Sequence, residues 1–435
     1  MKAKFLLLVS LIALGVSAQT RDKAKLDAYF NTLEKNNKFM GNVLLTENGK
    51  VIYEKSTGYA DITAAKKINQ NTKFRIGSIT KIFTSSLIFK AIEEKKIKLT
   101  DNLAGYFPAV PKADKITIAQ LLGHRSGIHN FTDDAEYGTY MTIPKTGDEL
   151  MEIIVKAGSD SEPGGKPAYS NSNYVLLTQI LEKLYGKSYA QLLDDKIIKP
   201  LKLENTYYGS KIGTQPNEAL SYSFVGKWEK MPETDMSIPL GAGAIVSNTT
   251  DLVKFIDALF AGKVVSPASL EEMKTVTDEY GLGLFTFKFP DNDAIGHTGG
   301  IDGFSSMLAH IPKSNLSVAQ LSNGKNINGT VTTVLNWYNN KPFEVPEFTN
   351  LINNTADLDK YLGEYTSTEI PLQITVTKEG TTLIAQATGQ SSFPMDATAK
   401  DVFEFAAAGV VLEFKPETRQ MVLKQAGRTF TFVKK

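Results

Sequence analysis

Ser78 and Lys81 stand three residues apart in F-R-I-G-S-I-T-K-I-F-T-S-S-L-I-F-K, the run from Phe74 to Lys90. On a helix, positions i and i+3 share a face, so a hydroxyl and an amine would stand side by side. The surroundings are almost all apolar or small, and burying an ammonium is costly unless it is paired or neutralised. The lysine is therefore either a surface accident or an amine kept beside a hydroxyl to take its proton, as nucleophilic catalysis requires. At a helix start the serine N–H is also one of the unsatisfied amides, able to face a developing oxyanion. Alone, Ser-x-x-Lys carries little. A second copy, Ser322 to Lys325, follows a strand pattern, contains an Asn-Gly turn pair and reads as a loop.

Two further segments could complete such a site. S-E-P-G-G-K-P-A-Y-S-N-S-N-Y places Tyr169, Ser170 and Asn171 on a loop where a helix begins near Ser172. A phenol of pKa ~10 becomes a usable base beside an ammonium; the plainer reading is a buried tyrosine whose hydroxyl finds a partner. Tyr-x-Asn also recurs, as Tyr338-Asn339-Asn340. I-G-H-T-G-G-I-D-G-F holds His297, Thr298, Gly299 and Gly300. Glycines weaken a strand, so a run of them implies close approach by another backbone, a substrate being one, or else a bulge.

Taken in order, Ser-x-x-Lys, Tyr-Ser-Asn and His-Thr-Gly resemble the penicillin-recognising serine hydrolases, and among them the class C β-lactamase-related branch. That branch includes β-lactamases, D-alanyl-D-alanine carboxypeptidases, D-aminopeptidases and esterases. L-L-G-H-R-S-G-I (Leu121 to Ile128), Y-S-N-S-N-Y-V-L-L-T-Q-I-L-E-K-L-Y-G-K-S-Y and L-G-A-G-A-I-V-S-N-T-T-D-L-V-K-F support the likeness, which runs from about Lys23 to about Asn339. The resemblance implies that Ser78 is acylated and that Lys81 takes or stabilises its proton. Tyr169 would pass the proton to the leaving group and later activate water. Asn171 would hold Lys81 and a substrate amide. The N–H groups of Ser78 and Gly300 would form the oxyanion hole, with Thr298 and Gly299 binding substrate.

Many β-lactamases carry lysine where this chain has His297. A histidine there resembles the peptidase members, where it helps face a substrate carboxylate, and with an ordinary pKa near ~6.5 it would titrate in the neutral range. The expectation is amide hydrolysis of D-residue peptides, of D-Ala-D-Ala carboxypeptidase or D-aminopeptidase type, on a small peptide or β-lactam-like substrate. An esterase or weak β-lactamase is the nearest alternative. A penicillin or cell-wall sensor that is acylated without turnover is the alternative of another class.

Elements that could position these groups are readable. Phe39 to Lys55 is a hairpin around E-N-G-K. S-S-M-L-A-H-I and L-S-V-A-Q-L form a second strand pair, with D-A-I-G-H-T-G before it. Ser78 to Glu94, Ser172 to Tyr185, Tyr189 to Ile198 and Thr249 to Phe260 carry helical periodicity. An antiparallel sheet built from both ends of a domain, with a helical subdomain between, is a mixed α/β arrangement, and the resemblance makes it a β-lactamase/transpeptidase-like fold. After Y-N-N-K-P-F-E-V-P-E-F the texture changes to short alternating runs, a small all-β module of barrel or meander type resembling the lipocalin-like domain of some relatives. The expected organisation is a signal peptide at 1–18, a hydrolase domain at 19–340, a linker at 341–350 and a β domain at 351–435.

The chain has 435 residues and no cysteine, so stability rests on core burial. Lys2 and Lys4, the apolar run Phe5 to Val16 and Val16-Ser17-Ala18 read as a cleavable leader, shorter than the ~20 residues of a span. A periplasmic or secreted protein without a mature membrane span is the expectation. Cleavage removes two lysines and moves the formal charge from +1 to −1, which suggests no nucleic-acid partner. His124, His129, His297 and His310 make no ligand spacing. Neither a metal nor another cofactor is expected.

Overall fold

A computed structural model describes residues 21–225, 227–275, 280–289, 292–324, 329–348, 355–388, 392–405, 409–425 and 427–435. The leader at 1–18 lies outside them, as does Lys325 of the second Ser-x-x-Lys. Among the described residues, no helix is long and apolar enough to cross a membrane.

Six antiparallel strands form the central sheet, in the spatial order Phe285–Phe289, Asn292–Ile301, Phe304–Ile311, Leu316–Ser322, Gly41–Glu47 and Lys50–Thr57. The hairpin around Asn48-Gly49 thus closes onto the late strands, Asn42 opposite Leu321. The inner strands are buried on both faces, so their sequences run apolar rather than alternating. Val43, Leu45, Val318 and Ile311 face one layer, with Leu26 and Phe30 of helix Lys23–Lys35 and Val334 and Trp337 of helix Thr330–Tyr338. Leu44, Ala319, Leu321 and Leu308 face the other, with Phe83 and Phe255.

Phe83 and Phe255 stack at 3.7 Å, which locks helix Thr80–Glu93 against helix Thr249–Phe260. The first of these is buried all round rather than on one stripe. That is why its lysine has no route to water. The expected helix Tyr189 to Ile198 is α-helical only to Leu193 and continues as a π turn, Asp194–Ile198.

The C-terminal module is a closed barrel of eight antiparallel strands from Gly363–Thr366 to Arg428–Lys434. Its interior is filled. Tyr365, Phe403, Phe414, Met421 and Phe432 pack there with Leu358 and Tyr361 of the turn Thr355–Tyr361. The proline-bearing segment between the two parts has neither helix nor strand over 341–348. It is no free tether there, because Phe343, Val345 and Phe348 pack against the layer holding Phe30. Lys38 pairs with Asp396 of the barrel.

Candidate active site

Ser78 lies in the 3-10 turn Gly77–Ile79 that opens into helix Thr80–Glu93. One turn on, Lys81 is fully buried. Its Nζ lies 3.0 Å from Ser78 Oγ, 2.7 Å from Asn171 Oδ1 and 2.8 Å from the Ala242 carbonyl oxygen. Burial drives its pKa well below the ordinary lysine range. Asn171 Oδ1 and Ala242 O can only accept, so they take two N–H groups in either protonation state. The third direction, towards Ser78, is an N–H in the ammonium and a lone pair in the amine. Burial favours the amine, which leaves a base aimed at the serine hydroxyl.

Tyr169 donates its O–H to Ser78 Oγ at 2.8 Å. Its ring stacks on His124 at 4.3 Å, and His124 Nδ1 accepts the Ser170 backbone N–H. Burial raises its pKa well above the ordinary range, against the expectation that an adjacent ammonium makes this phenol a ready base. In the resting site Tyr169 is a proton donor. Asn171 opens helix Asn171–Tyr185, and Lys81 donates to its side-chain oxygen.

The glycine run has a specific cause. A Cβ on Gly299 would sit 2.1 Å from the Ile76 carbonyl oxygen and 3.0 Å from Ser78 N. Gly77 has φ +51°, and a Cβ there would lie 2.8 Å from Gly300 N. The approaching backbone is therefore the chain's own nucleophile turn. A bulge is not the reason, since Ile295 to Ile301 pair with Phe304 to His310 without a register shift. The two-residue turn Asp302-Gly303 makes Ile301 and Phe304 a bonded pair, and antiparallel alternation then turns the Gly300 N–H to the opposite edge. On that edge the pairing with Phe285–Phe289 stops at Gly296. The Ser78 and Gly300 amides are thus close together at an open strand edge, the geometry an oxyanion needs.

A cavity of about 360 Å3 opens there, lined by Ser78, Asn171, Gly300, Ala242 and Thr132, with apolar walls that include Phe131, Tyr137, Met141, Met231, Pro239 and Ile301. Thr298 is exposed beyond it, and Thr298, Gly299 and His297 are not among its walls. His297 stacks on Phe285 at 4.3 Å. Its Nδ1 bonds to the Thr298 carbonyl oxygen, and its buried Nε2 has no partner among the described residues. Burial first, and the nearby Lys81 second, push its pKa down to about 3. The expected imidazolium is therefore absent at neutral pH, and with it the charge that was to face a carboxylate.

The motif copies stay apart. Ser322 is buried at its strand end, its hydroxyl bonded to the backbone of Met40 and Gly324. Tyr338 ends a helix and bonds to Glu47.

With this geometry, the Beta-lactamase family model matches residues 26–334. The chain belongs to the Beta-lactamase family. As a member, it is a serine hydrolase. It is 26% identical over 422 residues to Penicillin-binding protein 4* of Bacillus subtilis, covering 89% of this chain and 93% of that protein. It is 31% identical to the teichoic acid D-alanine hydrolase of Staphylococcus aureus over 60% of this chain and 65% of that one. Among solved structures, the D-amino acid amidase of Ochrobactrum anthropi superposes with TM-score 0.63 at 26% identity, over 72% of this chain and 98% of the amidase. The octameric penicillin-binding protein homologue of Pyrococcus abyssi shares the fold over 94% of this chain and all of its own, with TM-score 0.67 at 23% identity.

Four contributors escape a motif-led reading of this family member. His124 sits inside L-L-G-H-R-S-G-I, where only its flat stacking on Tyr169 reveals its use. Ala242 acts through its backbone, for which a sequence carries no mark. Asn130 and Thr132 are short polar residues in a loop, and they bond to Asn171.

Proposed function

We propose that this serine hydrolase works through an acyl-enzyme at Ser78 on amides of D-amino acids, with an apolar side chain in the cleft and an uncharged leaving group. The observation that carries the reading is the junction at Ser78 Oγ, which faces the Lys81 amine at 3.0 Å and the Tyr169 hydroxyl at 2.8 Å. Lys81 takes the Ser78 proton as Oγ attacks the carbonyl carbon. The Ser78 and Gly300 amides hold the resulting oxyanion. Tyr169 gives its proton to the leaving nitrogen and is reprotonated from the Lys81 ammonium, so both return to their resting states. Water then repeats the sequence at the ester carbonyl and frees Ser78. Asn171 keeps Lys81 in line throughout.

Two features support the substrate class. Among the described residues lining the cleft there is no lysine, arginine or histidine. The one acid, Asp302, is engaged by Arg75 at 2.8 Å and by the N–H and hydroxyl of Thr234. With His297 neutral as well, a free substrate carboxylate finds no cation, which favours amides over carboxypeptidase substrates. The D configuration follows the names of similar proteins, a D-amino acid amidase and a teichoic acid D-alanine hydrolase. The second of these also keeps ester hydrolysis as the alternative reading. The leader-like residues 1–18 and these cell-wall-related relatives support export to the periplasm or medium.

The test is one panel: D- and L-phenylalanine amide, D-alanyl-D-alanine peptides, nitrocefin and p-nitrophenyl esters. Preferential turnover of the D-amide supports the reading. Ester turnover with no D-amide or D-peptide cleaved moves the assignment to esterase.

A further inference from the structure

We infer that Thr132, backed by Asn130, is a positioning residue that fixes which end of the Asn171 amide meets Lys81. This role for Thr132 rests on Lys81 being the base, as proposed above. The Asn171 backbone N–H bonds to Asn130 Oδ1 at 2.9 Å, so that atom is the carbonyl oxygen. The Thr132 hydroxyl lies 3.1 Å from the same oxygen and must donate to it. Its only proton is then engaged, so the Asn171 atom at 3.0 Å from Thr132 Oγ1 has to be the donor, Nδ2. That leaves Asn171 Oδ1 towards Lys81 Nζ, at 2.7 Å.

The opposite orientation would disarm the base. With Nδ2 turned to Lys81, an amide N–H would occupy the amine lone pair that otherwise receives the Ser78 proton. An asparagine amide is nearly symmetric in shape, so packing alone does not choose between the two; the polarity of the Thr132 hydroxyl does. The clamp is itself anchored. Phe131, between the two residues, is buried in the core, and its N–H bonds to Ser172 Oγ at 3.2 Å. Ser172 Oγ in turn donates to the His129 carbonyl oxygen at 2.6 Å. The three residues just before Thr132 are thus tied to the start of helix Asn171–Tyr185.

Stopped-flow acylation of the full chain by p-nitrophenyl acetate across pH tests this. Thr132→Val keeps the shape and removes the hydroxyl. The plateau rate should fall by a factor on the order of 10 to 100. Its pH limb should move to lower pH, because the flipped amide favours the neutral amine over the ammonium. The other titratable groups around Lys81 are Tyr169, Tyr174, His124 and His297, and none is altered. Thr132→Ser should restore both plateau and limb, and Thr132→Val added to Asn171→Ala should cost nothing further. If Thr132→Val fails to fold, Thr132→Ala is read in the same way.

A wild-type plateau and limb in Thr132→Val, or equal impairment in Thr132→Ser, overturns the inference. So does an unshifted limb under a lowered plateau, the mark of a merely structural role. Lys81→Ala is run alongside. If it acylates normally, the functional reading falls and takes this inference with it. If it is inactive while Thr132→Val is normal, only the inference falls.

Discussion

The Tyr169 hydroxyl points its proton at Ser78 Oγ from 2.8 Å. A buried phenol held as a donor protonates a leaving group well and removes a proton poorly. Tyr169→Phe should therefore lower turnover of an amide by a factor on the order of 10² to 10⁴. A p-nitrophenyl ester, whose leaving group needs no proton, should lose much less on acylation. Equal losses on the two substrates would place Tyr169 outside leaving-group protonation.

Acylation should fall on one residue. Intact-mass and peptide mass spectrometry after treatment with a fluorophosphonate or a penicillin should find the adduct on Ser78, and Ser78→Ala should abolish it. Lys81→Ala should slow acylation by a factor on the order of 10³ or more, since base and orienting group leave together. An adduct on Ser322 would contradict the assignment.

The rate of acylation by a neutral ester should rise with pH as Lys81 loses its proton. Burial lowers that pKa, so the limb should lie below the ~10.4 of a free lysine. His297 adds no limb in the neutral range, its pKa being about 3. Carboxylate-bearing and neutral substrates should therefore share one profile. A separate decline between pH 6 and 7 for carboxylate substrates alone would restore His297 as a charged contact.

The buried histidines also set acid stability. His297 is neutral when folded down to about pH 3, and His124 is likewise lowered by burial. In the unfolded chain both take protons below about pH 6.5. The unfolded state then binds more protons, so stability falls as pH drops from about 6.5 towards 3. His297→Asn should flatten that part of the Tm-against-pH curve. An unchanged slope would mean His297 is protonated in the folded protein.

Gly299→Ala should give a folded protein with little activity. The added carbon meets backbone at Ile76, not a movable side chain, so the strand must shift away from Ser78. Loss of one oxyanion donor costs a factor on the order of 10² to 10³. Full activity with an unchanged circular dichroism spectrum would show that the two backbones have room to spare.

We place the functional boundary after Phe348. Among the described residues, none of the barrel lines the cleft, so a chain ending at Phe348 should keep kcat/KM on small amides. Ending at Asn340 strips Phe343, Val345 and Phe348 from the hydrolase layer and should cost on the order of 2 kcal/mol or more. Chemical denaturation of both truncations measures the difference; equal stability would make the segment a passive tether.

Much of this architecture is legible in the sequence. Asn48-Gly49 announces the hairpin, and the apolar runs S-S-M-L-A-H-I and L-S-V-A-Q-L locate the sheet's late strands. The type and spacing of Ser78, Lys81, Tyr169 and Asn171 point to one another before any fold is drawn. What stays hidden depends on surroundings. Strand Phe393–Ala399 carries a proline that reads as a breaker, and barrel closure tolerates it. The spacing of Leu26, Tyr29, Phe30 and Leu33 is a helical signal that a search led by motifs passes over. His297 looks like a titrating histidine until burial against Phe285 removes its proton. The glycine run announces a close approach of backbone, but not that the partner is Ile76 in the chain's own nucleophile turn.

That approach bears on the order of folding. Ser78 arrives early in the chain and Gly300 late, and they meet only when strand Asn292–Ile301 docks beside the nucleophile turn. Pairings of such long sequence separation are the slow part of folding. A refolding chain will regain its helical signal before it can bind an acyl group. Covalent labelling at Ser78 therefore clocks the last assembly step.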